Sequence, residues 1–230
     1  MSADARDTRG GPPDRAGPRP PGWLRGVVEA ARPLTADDLS RLVPPPPSTA
    51  RPSAVLVLFG ETDGEPDLVL IERAHDMRSH AGQLALPGGG AEEGESAVGT
   101  ALREAREEIG LDPSGVDVLA ELPALWLPPS NFAVTCVLAW WREESPVRVV
   151  DRAEVADVLR VPVAALVDPE RRVTVVHPLG YRGPGFHIGD RVLWGFTAGV
   201  LDRLFSHAGL ATPWDRTRTV AAPGTAGEQR

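Results

Sequence analysis

Runs of apolar residues along the chain are separated by segments rich in polar residues, glycine and proline. The apolar runs predict strands, and the segments between them predict connections. The aliphatic runs Ala54–Phe59 and Leu68–Glu72 predict two strands, and the Asp-Gly pair and proline between them predict a hairpin turn. Five further segments have the same character. They are Val116–Glu121, Phe132–Trp141, Val158–Pro162, Val173–Val176 and Gly185–Ile188.

Helical periodicity marks four other segments. Glu95–Ile109 is predicted as a strong helix that ends at Gly110, and Leu193–Ala208 as a final helix. Trp23–Ala31 and Ala36–Val43 are predicted as short helices. Because helices and strands follow one another at irregular intervals, the sequence indicates an α/β or α+β protein.

The 230 residues fit one domain with tails. Residues 1–21 contain few apolar groups, so we predict a disordered tail there. Residues 22–52 are interpreted as short helices and a Pro-rich linker that includes Pro44–Pro47. The body of the domain is expected at 53–214, and 215–230 is expected to be a flexible tail.

Composition excludes several classes of function. A net charge of −8 argues against nucleic-acid binding, and no apolar run approaches the roughly 18 residues of a membrane span. The chain contains no lysine, so lysine-based catalysis is excluded. Cys136 lies in an apolar run and is expected to be an inert core thiol. A single cysteine without an export signal is typical of a cytoplasmic protein.

The helix at Glu95–Ile109 separates two kinds of side chain. Its apolar face is made of Val98, Ala101, Leu102, Ala105 and Ile109. Glu104, Glu107 and Glu108 are spaced i, i+3, i+4 and repel one another unless a cation neutralises them. Carboxylate oxygens suit Mg²⁺ or Mn²⁺, although a solvated acidic face gives the same pattern. The neighbouring Arg103 and the preceding glycines favour the metal site.

The polar positions of this segment form a fixed pattern. It reads Gly89-x5-Glu95-x7-Arg103-Glu104-Ala105-x-Glu107-Glu108-x-Gly110-Leu111. The pattern resembles the Nudix box of the Nudix hydrolase superfamily, with Ala105 in place of a bulkier aliphatic residue. The resemblance implies an α/β/α sandwich with a mixed sheet, a loop–helix–loop catalytic motif and hydrolysis of a nucleoside diphosphate linked to another group.

The same resemblance implies roles for individual residues. Metal ligands would be Glu104, Glu107, Glu108 and the Gly89 carbonyl, and Arg103 would pair with Glu95. The catalytic residues would then be Glu107, Glu108, Arg103 and Glu95. The general base stays open among Glu107, Glu108, Glu143, Glu144 and Asp190.

A second motif lies just before the box. The segment 69–89 is similar to the motif of the coenzyme A pyrophosphatase subgroup. The matching residues are Leu70, Arg73, Ala74, Arg78, Gly82, Pro87, Gly88 and Gly89. Val69, Ile71 and Leu86 depart from it, and Trp194-Gly195-Phe196-Thr197-Ala198 is similar to a later subgroup segment. Substrate-binding residues would be Arg73, Arg78, Gly88 and Gly89, and arginines suit the phosphates of coenzyme A.

Three functions are therefore weighed. The first is hydrolysis of coenzyme A or acyl-coenzyme A to 3′,5′-ADP and 4′-phosphopantetheine or its acyl form. The second is a Nudix hydrolase acting on ADP-ribose, a dinucleoside polyphosphate or a damaged nucleoside triphosphate. The third is a non-catalytic Nudix-fold ligand sensor. The expected partner is a small nucleotide, with no nucleic acid and no membrane, and a homodimer is plausible for the superfamily.

Overall fold

The computed structural model describes residues 19–40, 49–77, 80–128 and 130–223. No helix in these ranges is long and apolar enough to cross a membrane. The helices are α1 Gly22–Ala31, α2 Ala36–Leu39, α3 Ala97–Ile109, α4 Val163–Val167 and α5 Gly195–His207, with 3₁₀ turns at Pro113–Gly115 and Pro169–Arg171. The strands are β1 Arg51–Thr62, β2 Glu65–Arg73, β3 Leu84–Ala85, β4 Gly88–Gly90, β5 Val116–Glu121, β6 Leu125–Leu127, β7 Phe132–Trp141, β8 Val155–Pro162, β9 Arg172–Val176, β10 Arg182–Ile188, β11 Arg191–Leu193 and β12 Thr219–Ala221.

The main sheet has the order β3-β2-β1-β7-β5, with β8 on β2 and the short β4 and β6 on β1 and β7. It is mixed, because β1 and β7 run parallel while their other neighbours are antiparallel. Alternate residues of β1 point to opposite faces. Leu56 and Leu58 pack in the same core cluster as Ala101 and Ala105 of α3, whereas Phe59 packs with α1 and α5. The expected α/β class, with a mixed sheet between helices, is confirmed.

A smaller sheet, of order β11-β10-β9-β12, stands beside the main one. Arg172 of β9 is fully buried, and its guanidinium carbon lies 4.2 Å from the Phe186 ring centroid and 4.8 Å from that of Trp214. It pairs with Asp202 of α5, which fixes the small sheet against that helix. Arg191 of β11 binds Glu72 of β2 at 2.9 Å and so joins the two sheets.

The predicted elements agree with the structure where the periodicity is strong. The hairpin of β1 and β2 is present, and β5 and β7 have the predicted bounds. The helix predicted from Glu95 begins at Ala97, because the Ser96 side chain accepts the Gly99 N–H and caps it. It ends as predicted at Gly110, with φ of 70°. The helix predicted at Ala36–Val43 is shorter in the structure: it ends at Leu39, because Ser40 has an extended backbone. Residues 41–48, with Pro44–Pro47, lie outside the described residues.

Two boundaries need correction. Residues 22–52 include part of the domain itself, since Leu24 and Val27 of α1 are fully buried in the core and β1 begins at Arg51. The expectation of a flexible tail at 215–230 is wrong for β12, which pairs in parallel with β9. Trp214 and the non-local pairing with β9 hold this segment, and neither has a local signature in the sequence. The predicted tails at 1–18 and 224–230 lie outside the described residues.

Candidate active site and metal centre

The glycines of β4 bring the backbone against the sheet and against α3. Gly88 has φ of 152°, and a Cβ there would lie 2.3 Å from the Ala54 carbonyl oxygen. A Cβ on Gly89 would lie 2.5 Å from Cδ of Glu104. Since real side chains do not approach so closely, glycine at position 88 lets β4 pack on the β1 backbone, and glycine at position 89 lets the Glu104 carboxylate rest against β4.

Arg103 of α3 binds Glu95 through two parallel hydrogen bonds. Its Nε donates to Glu95 Oε1 and its Nη2 to Glu95 Oε2, both at 3.0 Å, and Nη2 also donates to the Gly90 carbonyl at 2.9 Å. The guanidinium lowers the pKa of Glu95 to about 2, helped by hydrogen bonds from the Glu92 N–H and the Thr100 hydroxyl. This charged pair ties the loop before α3 to the helix.

The third nitrogen of Arg103 engages the two nearest acidic residues of the helix. Nη1 lies 3.0 Å from Glu104 Oε1 and 3.0 Å from Glu107 Oε2. The Glu107 side chain is 59% exposed, whereas that of Glu104 is 14% exposed. Burial raises the pKa of Glu104 despite the neighbouring guanidinium. The two carboxylates therefore share a counter-ion but differ in environment.

Glu108 is the most buried acid of the helix, with 2% of its surface exposed. Its Oε2 accepts the Gly88 N–H at 2.9 Å, while Oε1 is buried and has no hydrogen-bond partner among the described residues. Burial, with the nearby charge of Glu104, raises the pKa of Glu108 to about 8, although the Gly88 N–H and Arg73 act in the opposite direction. A buried carboxylate oxygen without a partner costs free energy, which a bound cation would offset.

Glu154 is a further acid at this site that the sequence analysis missed. Its negative charge acts on both Glu104 and Glu108 and raises the pKa of each. The loop before β8 holds it there: the Val150 N–H donates to the Glu108 carbonyl at 2.9 Å, and the Glu154 carbonyl accepts the Ala74 N–H at 2.8 Å. An isolated glutamate far from the helix in sequence carries no signal of this proximity.

The donor atoms suit a hard divalent cation, but they are not yet arranged around a common point. Within the four described ranges, no group of three or more His, Cys, Asp or Glu side chains is placed to hold a metal ion. The structure brings Glu104 and Glu108 together and leaves Glu107 on the outer side of the helix, bound by Arg103. The Gly89 carbonyl accepts the Ser53 hydroxyl at 2.6 Å. The buried, unpartnered Glu108 Oε1 is the atom that fits a metal ligand best.

Comparison with known proteins identifies the family. The family model of the NUDIX domain matches residues 49–179 of the chain. This chain belongs to the Nudix family. It is 33% identical over 195 residues to "Nudix hydrolase 15, mitochondrial" of Arabidopsis thaliana, covering 79% of this chain and 64% of that protein, which is less than two thirds of its length.

Two other Nudix proteins show how far the similarity reaches. The chain is 34% identical over 194 residues to the uncharacterized Nudix hydrolase NudL of Shigella flexneri, covering 78% of this chain and 97% of that protein. The crystal structure of a Nudix hydrolase from M. smegmatis, RenU, has a TM-score of 0.50 and 19% identity, covering 73% of this chain and 91% of that one. The structural likeness concerns the fold alone. Nudix hydrolases generally use divalent metal ions.

Of the two arginines expected to bind substrate, Arg73 lies close to the carboxylates of this Nudix site. Arg73 ends β2, its Nε is buried without a partner among the described residues, and its charge lowers the pKa of Glu108. Arg78 lies outside the described residues. Gly88 and Gly89 lie at the Glu104 and Glu108 carboxylates.

The alternatives for the general base of this Nudix protein separate in space. Glu144 is bound by Arg160 and by the N–H of Glu61. Glu61 is seven residues along β1 from Ala54, which pairs with Gly89 at the site, so Glu144 lies on the order of 20 Å away. Glu143 pairs with Arg142, and its N–H donates to the Gly115 carbonyl. Neither adjoins the carboxylates of α3. Asp190 lies in the turn between β10 and β11.

Proposed function

We propose that this Nudix hydrolase cleaves the diphosphate of coenzyme A or acyl-coenzyme A to 3′,5′-ADP and 4′-phosphopantetheine or its acyl form. The family supports hydrolysis of nucleoside diphosphate derivatives in general. The observation that carries the narrower proposal is Arg73. It belongs to the segment that is similar to the coenzyme A subgroup motif. Its buried Nε, near the carboxylates of α3, has no hydrogen-bond partner in the part of the chain that the structure describes.

The departures from that motif do not argue against this substrate. Ile71 is fully buried in the cluster that packs on α3, and Leu86 is 3% exposed in the cluster on the opposite face. Both side chains fill core space instead of lining the site. Their replacement therefore alters packing, and the alternative of ADP-ribose gains no support from them.

In this proposal, Glu104, Glu107, Glu108 and the Gly89 carbonyl would hold Mg²⁺ or Mn²⁺. A bound divalent cation screens the charge of the diphosphate and lowers the pKa of a water molecule. The remaining work falls to the chain itself. Arg103 keeps the Gly90 carbonyl and Glu95 in place, which fixes the loop that enters α3. Arg73 supplies N–H donors to a phosphate oxygen.

A carboxylate must accept the proton of the attacking water. We propose Glu107, Glu108 or Glu154 for this role, because Glu143 and Glu144 are bound elsewhere. Glu108 is the buried acid that the charge of Glu154 acts on, and Glu107 is the exposed acid beside Arg103. We further propose that the enzyme acts in the cytoplasm, consistent with its single, buried Cys136 thiol, whose pKa burial raises to about 12. A homodimer remains part of this proposal, and light scattering would measure it.

Chromatographic product analysis tests the proposal. The full chain is incubated with coenzyme A, or with ADP-ribose, in millimolar Mg²⁺ or Mn²⁺. Release of 3′,5′-ADP from coenzyme A, at a higher kcat/KM than for ADP-ribose, is the expected result. Glu29→Gln, an exposed change on α1, serves as the control and should retain full activity. Cleavage of ADP-ribose alone would overturn the choice of substrate.

A further inference from the structure

Arg51, the first residue of β1, is held in a fixed position on an aromatic ring. Its guanidinium carbon lies 4.2 Å from the centroid of Phe132, and its Nη2 donates to the Ser130 carbonyl at 3.3 Å. The two residues are paired in the parallel register of β1 and β7. An exposed arginine without contacts samples many rotamers, whereas the ring and the carbonyl restrict this one, which lowers the entropy cost of binding a ligand.

The Arg51–Phe132 pair borders Gly90, the last residue of β4. A Cβ built on Gly90 would lie 3.9 Å from Cε1 of Phe132, and the Gly90 carbonyl accepts a hydrogen bond from Arg103. Along β1, Arg51 is two residues before Ser53, the partner of Gly90. Two strand residues span about 7 Å, so the Cα of Arg51 lies about that far along β1 from the point where β4 pairs with it.

The charge of Arg51 has no acidic counter-ion within the described ranges. Among the residues that the structure describes, no carboxylate forms an ion pair with it. Arg103, Arg142 and Arg160 are each bound by carboxylates. A guanidinium stacked on a ring keeps its N–H groups in its own plane, where they can donate to an anion. In a chain of net charge −8, such a cation favours a negatively charged ligand.

Asn131, which follows Ser130, is held by contacts on both sides of its amide. Its φ of 53° is a left-handed conformation that asparagine tolerates better than most residues. Its Oδ1 accepts the Trp126 indole N–H at 3.1 Å, and its Nδ2 donates to the Thr49 carbonyl at 3.3 Å. These two hydrogen bonds fix the residue directly before Phe132 and so help to hold the ring beneath Arg51.

We propose that Arg51, positioned by Phe132, binds a phosphate monoester on the nucleoside part of the substrate, separate from the diphosphate that is cleaved. In coenzyme A this group is the 3′-phosphate, so the identification of the group rests on the proposed function. A monoester carries up to two negative charges, which a single ordered guanidinium recognises through paired N–H donors. Arg51 thereby selects nucleotides that bear this second phosphate.

The test compares two nucleotides that differ only in the 3′-phosphate. Binding of 3′,5′-ADP and of 5′-AMP to the full chain is measured by isothermal titration calorimetry. The wild-type protein should bind 3′,5′-ADP at least about tenfold more tightly. Arg51→Ala should reduce this ratio to near one, and Arg51→Lys should keep part of it. Arg203→Ala, an exposed change on α5, should leave the ratio unchanged.

Phe132→Leu separates positioning from charge. It retains the guanidinium but removes the ring beneath it, so the preference for 3′,5′-ADP should fall less than in Arg51→Ala. Circular dichroism and thermal unfolding establish that each variant is folded. With coenzyme A as substrate, Arg51→Ala should raise KM about tenfold while kcat changes less than twofold.

The outcomes separate this inference from the proposed function. A wild-type ratio near one, or a ratio unchanged in folded Arg51→Ala, overturns the role of Arg51 even if coenzyme A is cleaved. If coenzyme A is not cleaved but the ratio is high and depends on Arg51, the inference stands and the proposed substrate fails.

Discussion

An arginine lies among carboxylates near each end of strand β1, and the two clusters differ. At one end Arg160 binds Asp67 and Glu144, and both of its partners are satisfied. At the other end Arg103 binds Glu95, Glu104 and Glu107, while Glu108 beside them keeps an oxygen buried without a partner among the described residues.

Electrostatics reflect this difference. Arg160 lowers the pKa of Glu144, as expected of a completed ion pair. Burial raises the pKa of Glu104 and Glu108, although Arg103 or Arg73 lies close by. The Arg160 cluster is therefore complete as it stands, whereas the cluster at α3 contains more buried carboxyl groups than its arginines can pair with. Buried acids with raised pKa values are typical of a functional site.

The largest expected effect comes from removing that charge. Glu108→Gln should reduce turnover by about a thousandfold or more, because it removes a proposed metal ligand, and Glu107→Gln should act in the same direction. Stability should change little, because burial already raises the pKa of Glu108 to about 8, so that glutamine replaces a largely neutral carboxyl at pH 7, and because Glu107 is largely exposed. Initial rates and thermal unfolding measure both. Near-wild-type activity in both variants would contradict the assignment of the metal helix.

Arg160→Met should have the opposite profile. It leaves Asp67, whose side chain is 2% exposed, without its counter-ion, so the free energy of unfolding should fall by about 3 kcal/mol. Turnover per folded molecule should not change, because the cluster is distant from α3. Denaturant unfolding measures the loss, with Arg160→Lys as the milder comparison. A stable variant with impaired catalysis would mean that the two ends are coupled.

Gly89→Ala tests whether the position of the Glu104 carboxylate matters. The added methyl group would occupy its place, so activity should fall roughly tenfold to a hundredfold while the fold persists. Gly199→Ala in α5 has no atom within 4 Å of the new methyl group and is the matched control. It should leave activity unchanged and raise stability by about 1 kcal/mol. Equal activity in the two variants would argue against the contact.

The smallest effect is a shift in melting temperature. Mg²⁺ or Mn²⁺ should stabilise the wild-type protein by up to about 2.7 kcal/mol at one hundred times the dissociation constant, and EDTA should reverse it. The shift should be reduced in Glu108→Gln and retained in Glu144→Gln. Calorimetric melting at matched ionic strength measures it. A shift of the same size in Glu108→Gln would place the cation elsewhere.

Sequence reasoning succeeded where one segment contains the whole signal. The α3 helix combines clear periodicity, a capping residue and a fixed polar pattern, so its extent and the Arg103–Glu95 pair were predictable. The site residues that were missed depend on distant segments. Glu154 reaches α3 through a loop after β7, and Arg51 is distinguished only by its contact with Phe132. The short β12 exists because β9 offers it a free edge.

The packing of Phe59 has a consequence for biosynthesis. Its ring contacts Trp23 at a centroid distance of 5.5 Å and Phe205 at 6.5 Å, so one face of β1 is covered by helices from opposite parts of the chain. A ribosome that adds 5–20 residues per second needs on the order of 10 s to proceed from Phe59 to Phe205. During that interval one apolar face of β1 remains exposed because α5 has not been synthesised, and the nascent chain then has its greatest need of chaperone protection.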